Sequence, residues 1–269
     1  MERNGVVNPV NVSITEVLRD GPAPAMEPGA VTEFRPPASA DIFPGVGFRI
    51  KREIPRPKQN VAERFKDFEL ADISDHLNRL YTVDPTIRCL AGASKRLVGP
   101  ACTVKVYPGD NLMVHKALDI AKPGDVVVVD ARGAKTYAVL GDTISMKAWH
   151  RGIAGFIVDG YIRDLSGIQE MDYPVYARGA TVVGPLHRAP GEINYPVCCG
   201  GVVVNPGDII IGDSSGVVVM PQDCIEQLHV ELVRHNERAA AYLEKVRKGE
   251  FSNAWVDQLL ATARCAIES

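Results

Sequence analysis

The 269-residue chain contains no run of about 18 or more apolar residues, so no segment reads as a membrane-spanning helix. Its formal net charge of -3 supplies no concentrated basic face, which removes the electrostatic case for nucleic acid. Cysteine is sparse as well. Cys89, Cys102, Cys198, Cys199, Cys224 and Cys265 include no C-x-x-C pair, so neither a zinc site nor a disulfide scaffold is indicated. Their usage suits reduced, mostly buried thiols in a cytoplasmic protein. The opening residues lack the apolar core of a signal peptide, so no leader is expected. No repeat of roughly 20–50 residues is present, which argues against a solenoid or propeller.

Hydrophobic residues make up 46% of the chain and charged residues 23%, proportions that allow a sizeable core at this length. Nine of the nineteen prolines fall in residues 1–57, within runs such as GPAPAMEPGA and FRPPASADIFPG. Each removes a backbone donor and restricts the residue before it, so this stretch is expected as an extended arm. Phe34, Ile42, Phe43, Val46, Phe48 and Ile50 give the arm apolar side chains with which to dock.

Residues 58–269 are expected as one α/β domain with a β-rich second half. The segment NVAERFKDFELADISDHLNRLYTV has helical spacing, with Asp72 or Ser74 expected to cap a second helix through Ile73, Leu77 and Leu80. The runs VVVVD and FIVD are apolar on both faces, as covered parallel strands are. The stretches NLMVHKALDIAK and TISMKAWHRG between the strands read as short helices. Beyond residue 180 several strands joined by tight turns are expected. Residues 222–249 read as a long charged helix with apolar positions Ile225, Leu228, Leu232 and Val233.

Two places on consecutive strand–helix units carry groups suited to chemistry. Gly141 permits a tight turn and Asp142 is placed to cap the helix after it. The amides of Thr143 and Ile144 would then point out of a positive helix end and form an anion site for a carboxylate. Arg163 and Asp164 follow the strand FIVD and a turn at Gly160, past the carboxyl end of a strand, where open α/β sheets bind ligands. Arginine grips a carboxylate with a planar fork, and aspartate offers a hard oxygen for Mg²⁺ or Mn²⁺. On spacing alone, an ordinary helix cap and a solvated ion pair account for the same residues. Neighbouring parallel strands would bring the two places side by side, and that favours a site.

These residues also carry a resemblance. ISDHL (73–77), GPACTV (99–104), PGDNLMVHKAL (108–118), PGDVVVVDARG (123–133), LGD (140–142), RGIAGFIVDGYIRD (151–164), YPVYARG (173–179) and GDSSGVVVMP (212–221) resemble the RraA-like family. The match is to its 4-hydroxy-4-methyl-2-oxoglutarate and 4-carboxy-4-hydroxy-2-oxoadipate aldolase branch. That branch carries an Asp, twenty residues, then Arg-Asp, as Asp142, Arg163 and Asp164 do. The ribonuclease-regulating branch has Gly in place of the first acid and an acid three residues after the second. Here those positions are Asp142 and Gly167.

The resemblance implies a layered α/β fold with central sheets flanked by helices, assembled as a homotrimer or homohexamer with sites between subunits. It implies that Asp164 binds a divalent metal, Mg²⁺ or Mn²⁺, and that Arg163 holds the pyruvate end of a small 2-oxo acid. Asp142 would be catalytic, positioning a metal-bound water through which the C4 hydroxyl proton is taken, and the Thr143 and Ile144 amides beside Gly141 would hold the substrate carboxylate. Glu237 is the best match for an acid supplied by a neighbouring subunit. The implied activity is retro-aldol cleavage to pyruvate, with oxaloacetate decarboxylation as a side reaction and no partner that is nucleic acid or membrane.

Two alternatives stand beside this reading: a non-catalytic regulator that docks to a ribonuclease, and a decarboxylase of a larger oxo acid. Lys105, Lys116, Lys135 and Lys147 are expected at the surface rather than as Schiff bases. His76 and His115 could line a cleft between subunits but are expected as structural residues, while His150, His187, His229 and His235 share no metal spacing. Glu192 and Asn194 in the PGEIN turn are a further possible source of substrate contacts.

Overall fold

The computed structural model describes residues 41–56, 61–266 and 268. The early proline-rich runs and Phe34 of the expected arm lie outside the described residues. At the centre is a sheet in the order β1 (Arg49–Ile50), β7 (Gly191–Ile193), β3 (Leu97–Val106), β4 (Val126–Ala138), β5 (Gly155–Ile162), β6 (Val175–Ala180), β2 (Arg88–Ala91). Strands β3, β4, β5 and β6 run parallel, while β7 and β2 close the parallel group as antiparallel neighbours.

The four valines of β4 show why such a run forms a central strand. Alternate residues of a strand point to opposite faces, so Val127 and Val129 enter one core while Val126 and Val128 enter another. The first core lies under helices α3 (Leu112–Ala117), α4 (Asp142–His150) and α5 (Leu165–Glu170). The second is covered by the hairpin β8 (Val197–Cys199) and β9 (Val202–Val204) and by β11 (Gly216–Met220). Strand β3 serves both halves of the molecule. Its first four residues pair with β10 (Ile209–Asp213), and its later residues pair with β4 and β7. The β10–β11 ribbon buries a third core against α2 (Leu70–His76) and α6 (Ile225–Arg247), with Ile73, Ile209, Ile211, Leu228 and Leu232 at its centre.

A short helix, α1 (Val61–Arg64), precedes α2, and the helical region differs from its sequence pattern in detail. Glu69 precedes α2 as its cap, so Asp72 and Ser74 lie inside the helix rather than at its start. Asn78 and Arg79 then take left-handed conformations that stop the helix, which leaves Leu80 75% exposed. In α6 the buried stripe is Ile225, Leu228 and Leu232, and Val233 turns outward. A final helix, α7 (Ala254–Thr262), follows it. Only Cys102 and Cys199 of the six free cysteines are buried, so the expectation of mostly buried thiols is corrected. Cys198 points outward because it alternates with its buried neighbours in β8. No helix among the described residues is long and apolar enough to cross a membrane.

Residues 47–56 are fastened to the sheet. Phe43 and Val46 are exposed, but β1 pairs with β7, and Asn194 donates Nδ2–H to the Lys51 carbonyl at 2.8 Å. Glu192 faces Arg49 at 2.6 Å and Lys105 at 3.5 Å. Glu192 and Asn194 therefore hold this segment, and the expectation that they contact substrate is corrected. Arg56 grips Asp125 with two hydrogen bonds, at 3.1 and 2.7 Å, at the foot of β4, and Asp125 is 1% exposed. Removing one member of a buried pair leaves the other charge uncompensated. Arg56→Met is therefore expected to lower the unfolding free energy by about 3 kcal/mol. Urea denaturation checks this, and an unchanged midpoint would contradict it.

Candidate functional site

All four parallel strands send their carboxyl ends toward one cleft of about 270 Å³. After β4 comes the segment Leu140–Ile144, and after β5 come Arg163 and Asp164. Two backbone hydrogen bonds continue the β4–β5 pairing beyond the strands: Val139 N–H to Tyr161 C=O and Arg163 N–H to Leu140 C=O, each 2.9 Å. The structure thus brings Gly141, Asp142, Thr143, Ile144, Arg163 and Asp164 together.

Gly141 lies close beneath both side chains: a Cβ at this position would sit 2.4 Å from Asp164 Oδ2, which would have to move, and 3.0 Å from Arg163 Cγ. Asp164 stands in the left-handed region at φ 53° and ψ 43°, and is the N-cap residue of α5. Aspartate tolerates that conformation better than most residues, and strained positions of this kind gather at functional sites. Its Oδ2 lies 3.1 Å from Arg163 Nε, with both side chains 44% exposed. An ion pair this exposed adds little stability, so both groups remain open to a ligand. The guanidinium rests against Gly184, where a Cβ would come within 2.7 Å of Nη1.

Helix α4 begins one residue earlier than expected. Gly141 is its N-cap, its carbonyl accepting the Ser145 N–H at 3.1 Å and the Ser145 hydroxyl at 3.0 Å, and Asp142 is the first helical residue. Asp142 Oδ1 accepts the Thr143 N–H at 2.5 Å and the Thr143 hydroxyl at 3.1 Å. The Thr143 amide, expected to face substrate, is therefore held by its neighbour's carboxylate. The Ile144 amide is the third of the helix and has no acceptor within it. The other carboxylate oxygen, Oδ2, faces Gly167, where a Cβ would sit 3.0 Å away.

The rest of the cleft comes from the segments after β3 and β6, where His115 had been a candidate for lining a cleft and Asn111, Pro185 and His187 had not. Residues 181–189 cross the strand ends in turn. Thr181 N–H bonds Ile162 C=O, Ala138 N–H bonds Val183 C=O, and Leu186 N–H bonds Gly109 C=O, at 2.9, 2.9 and 2.8 Å. Buried Asp110 locks the far end by accepting the amides of Leu112, Arg188 and Ala189 at 2.8, 2.7 and 2.9 Å. His187 is thereby brought against His115 with ring centroids 5.6 Å apart, and both rings line the cleft with Asn111. Burial first, then the positive charge of Lys147, lowers the His115 pKa from its ordinary value, so His115 is neutral at pH 7. The signal available was the rule that ligands sit past the carboxyl ends of parallel strands, applied to β3 and β6 as well.

Glu237 does not join the group: it is exposed on α6 and is not among the residues lining the cleft. Lys105 pairs with Glu192, and Lys116, Lys135 and Lys147 are exposed. Cys102 is an inert core thiol, its pKa pushed up to about 12 by burial. Among the described residues no three His, Cys, Asp or Glu side chains cluster closely enough to cage a metal.

Fold and site together define an α/β protein with a carboxylate-and-arginine cleft at the strand ends. The model for the RraA-like family, described as Aldolase/RraA, matches residues 70–219, and the chain belongs to that family. It is 44% identical over 159 residues to a Halalkalibacterium halodurans protein named "Putative 4-hydroxy-4-methyl-2-oxoglutarate aldolase", covering 59% of this chain and 75% of that one. A protein of the same name from Ectopseudomonas mendocina is 34% identical over 151 residues, 56% of this chain and 93% of its own. Among solved structures, Streptomyces coelicolor RraAS2 superposes with a TM-score of 0.63 at 26% identity, covering 71% of this chain and 98% of its own. It is described as an unusual member of the RNase ES inhibitor RraA protein family.

The close approach at Gly141 can be tested directly. Gly141→Ala is expected to keep the fold but displace the Asp164 carboxylate, visible in a crystal structure of the variant. A misplacement of this size in a reacting site costs about 10²-fold in turnover. A variant with Asp164 in place would contradict the packing described.

Proposed function

We propose that the protein is a divalent-metal-dependent lyase that cleaves a 4-hydroxy-2-oxo acid to pyruvate. The observation that carries the reading is the convergence of Asp142, Arg163 and Asp164 in one cleft of a chain 44% identical to a protein named for such an aldolase.

The donor set suits a hard cation. Asp164 offers one carboxylate in a cradle that a Cβ at residue 141 would fill, and no cage of further ligands surrounds it among the described residues. Mg²⁺ and Mn²⁺ bind in this way, through one carboxylate, several waters and the substrate. When bound, such an ion supplies Lewis-acid polarisation of the substrate's 2-oxo group. Arg163 grips the carboxylate of the pyruvate end and faces the negative charge that develops as the C3–C4 bond breaks. The helix α4 N-terminus, through the Ile144 amide, adds a positive partial charge to the same end. Asp142, through Oδ2, would position a water within the cleft. An acid from a second subunit, with Glu237 as the sequence match, would complete the site in a homotrimer or homohexamer.

Oxaloacetate passes through the same enolate with CO₂ as the departing fragment, so it is decarboxylated at the same site. A second reading, a binding protein that docks to a ribonuclease, is favoured by the likeness to RraAS2. The carboxylate of Asp142 argues for the enzyme, since the regulator pattern has glycine there.

The test is pyruvate release from 4-hydroxy-4-methyl-2-oxoglutarate and from oxaloacetate, with Mg²⁺ and with a chelator. Turnover is expected only with the ion. Arg163→Ala is expected to lose about 10²–10³-fold in turnover while remaining folded. Asp164→Asn keeps the left-handed backbone and is expected to lose the metal dependence together with the activity. Absence of metal-dependent turnover of any 2-oxo acid would sink the proposal.

A further inference from the structure

We infer that His187 is a catalytic residue of the cleft and accepts the C4 hydroxyl proton of the substrate through its Nε2. This assignment rests on the aldolase reading and gives to a side chain the proton that the resemblance assigns to a water at Asp142.

Asn111 sets the orientation of the His187 ring. Its side chain is buried and donates Nδ2–H to the Val139 carbonyl at 2.9 Å, which fixes the amide's orientation. Its Oδ1 is therefore an acceptor, and it lies 2.6 Å from His187 Nδ1. An acceptor at that distance places the proton on Nδ1, leaving the Nε2 lone pair of a neutral imidazole free. The ring is exposed, lines the cleft and is held by the segment that Asp110 locks. A preset tautomer on a clamped loop, in the cleft that Asp142, Arg163 and Asp164 also line, is an arrangement suited to a general base.

His115, kept neutral chiefly by burial, adds no like charge across the ring contact. Ordinary imidazole titrates near pH 6.5 and an ordinary carboxylate near 4, so imidazole is better matched to proton transfer at about pH 7.

The step balances without any further reactant. Nε2 takes the C4 hydroxyl proton, the O–H electron pair forms the C4 carbonyl, and the C3–C4 pair passes into the enolate of pyruvate. The imidazolium then returns its proton to C3, which yields pyruvate and restores the neutral ring. Oxaloacetate has no C4 hydroxyl to deprotonate, so the two substrates depend on His187 to different degrees.

The experiment uses the full-length protein. His187→Asn keeps a donor for Asn111 Oδ1 and removes the Nε2 lone pair. The ratio of 4-hydroxy-4-methyl-2-oxoglutarate cleavage to oxaloacetate decarboxylation is expected to fall about 10²-fold. An unchanged ratio, whether both rates fall together or neither falls, overturns the assignment. A second readout needs no turnover: a long-range ¹H–¹⁵N correlation spectrum of the wild-type protein near neutral pH. The neutral His187 ring is expected as the Nδ1–H tautomer, and a dominant Nε2–H tautomer overturns the assignment. A wild-type protein inactive on both substrates would instead defeat the aldolase reading, so the two failures are distinguishable.

Discussion

The backbone bond from Arg163 N–H to Leu140 C=O, with its partner from Val139 to Tyr161, is the constraint on which the cleft depends. It prolongs the β4–β5 ladder past the strands, so two loops that could have diverged are held in register. Gly141 then passes so closely under the Asp164 carboxylate that an added Cβ would displace it. Asp164 takes a left-handed conformation, and Arg163 Nε comes to 3.1 Å from its Oδ2. The parallel strands beneath make this possible. Their valines divide between two cores, which fixes register, because a slip of one residue would exchange the faces.

Over this frame the segment 181–189 runs across the strand ends and is fastened at each by main-chain hydrogen bonds. It serves as wall and support together: Gly184 lies under the Arg163 guanidinium, and His187 meets Asn111 and His115. Asp110 spends its buried carboxylate on three amides of the loops around it. The charged residues at the cleft mouth contribute little to folding, because their ion pair is exposed. Stability is held by the cores and by buried partners such as Asp125 with Arg56, which leaves Arg163 and Asp164 to ligands.

Local chemistry in the sequence was enough to find Asp142, Arg163 and Asp164, since each lies within a few residues of a recognisable strand. The parallel strands, the β-rich second half and the short helices α3 and α4 were legible for the same reason. Asn111 and His187 were not. They are 76 residues apart, and their meeting depends on how 181–189 crosses three strand ends, which no periodicity reports. The cap of α4 also shifted by one residue, because Gly141 C=O already receives Ser145 and Asp142 turns its carboxylate onto Thr143. Val233 reads as a core position by spacing, but the buried stripe of α6 is narrower than the apolar pattern. Glu237 was assigned through a neighbouring subunit, and a single chain leaves it exposed on its helix.

The central claim is that the cleft holds a divalent ion on Asp164 with a small 2-oxo acid gripped by Arg163. A crystal structure with Mn²⁺ and oxalate, read by manganese anomalous scattering, tests it most directly. The account predicts an anomalous peak about 2.1 Å from an Asp164 carboxylate oxygen. It also predicts oxalate bridging the ion and the Arg163 guanidinium. Manganese bound elsewhere, or oxalate away from Arg163, would contradict it.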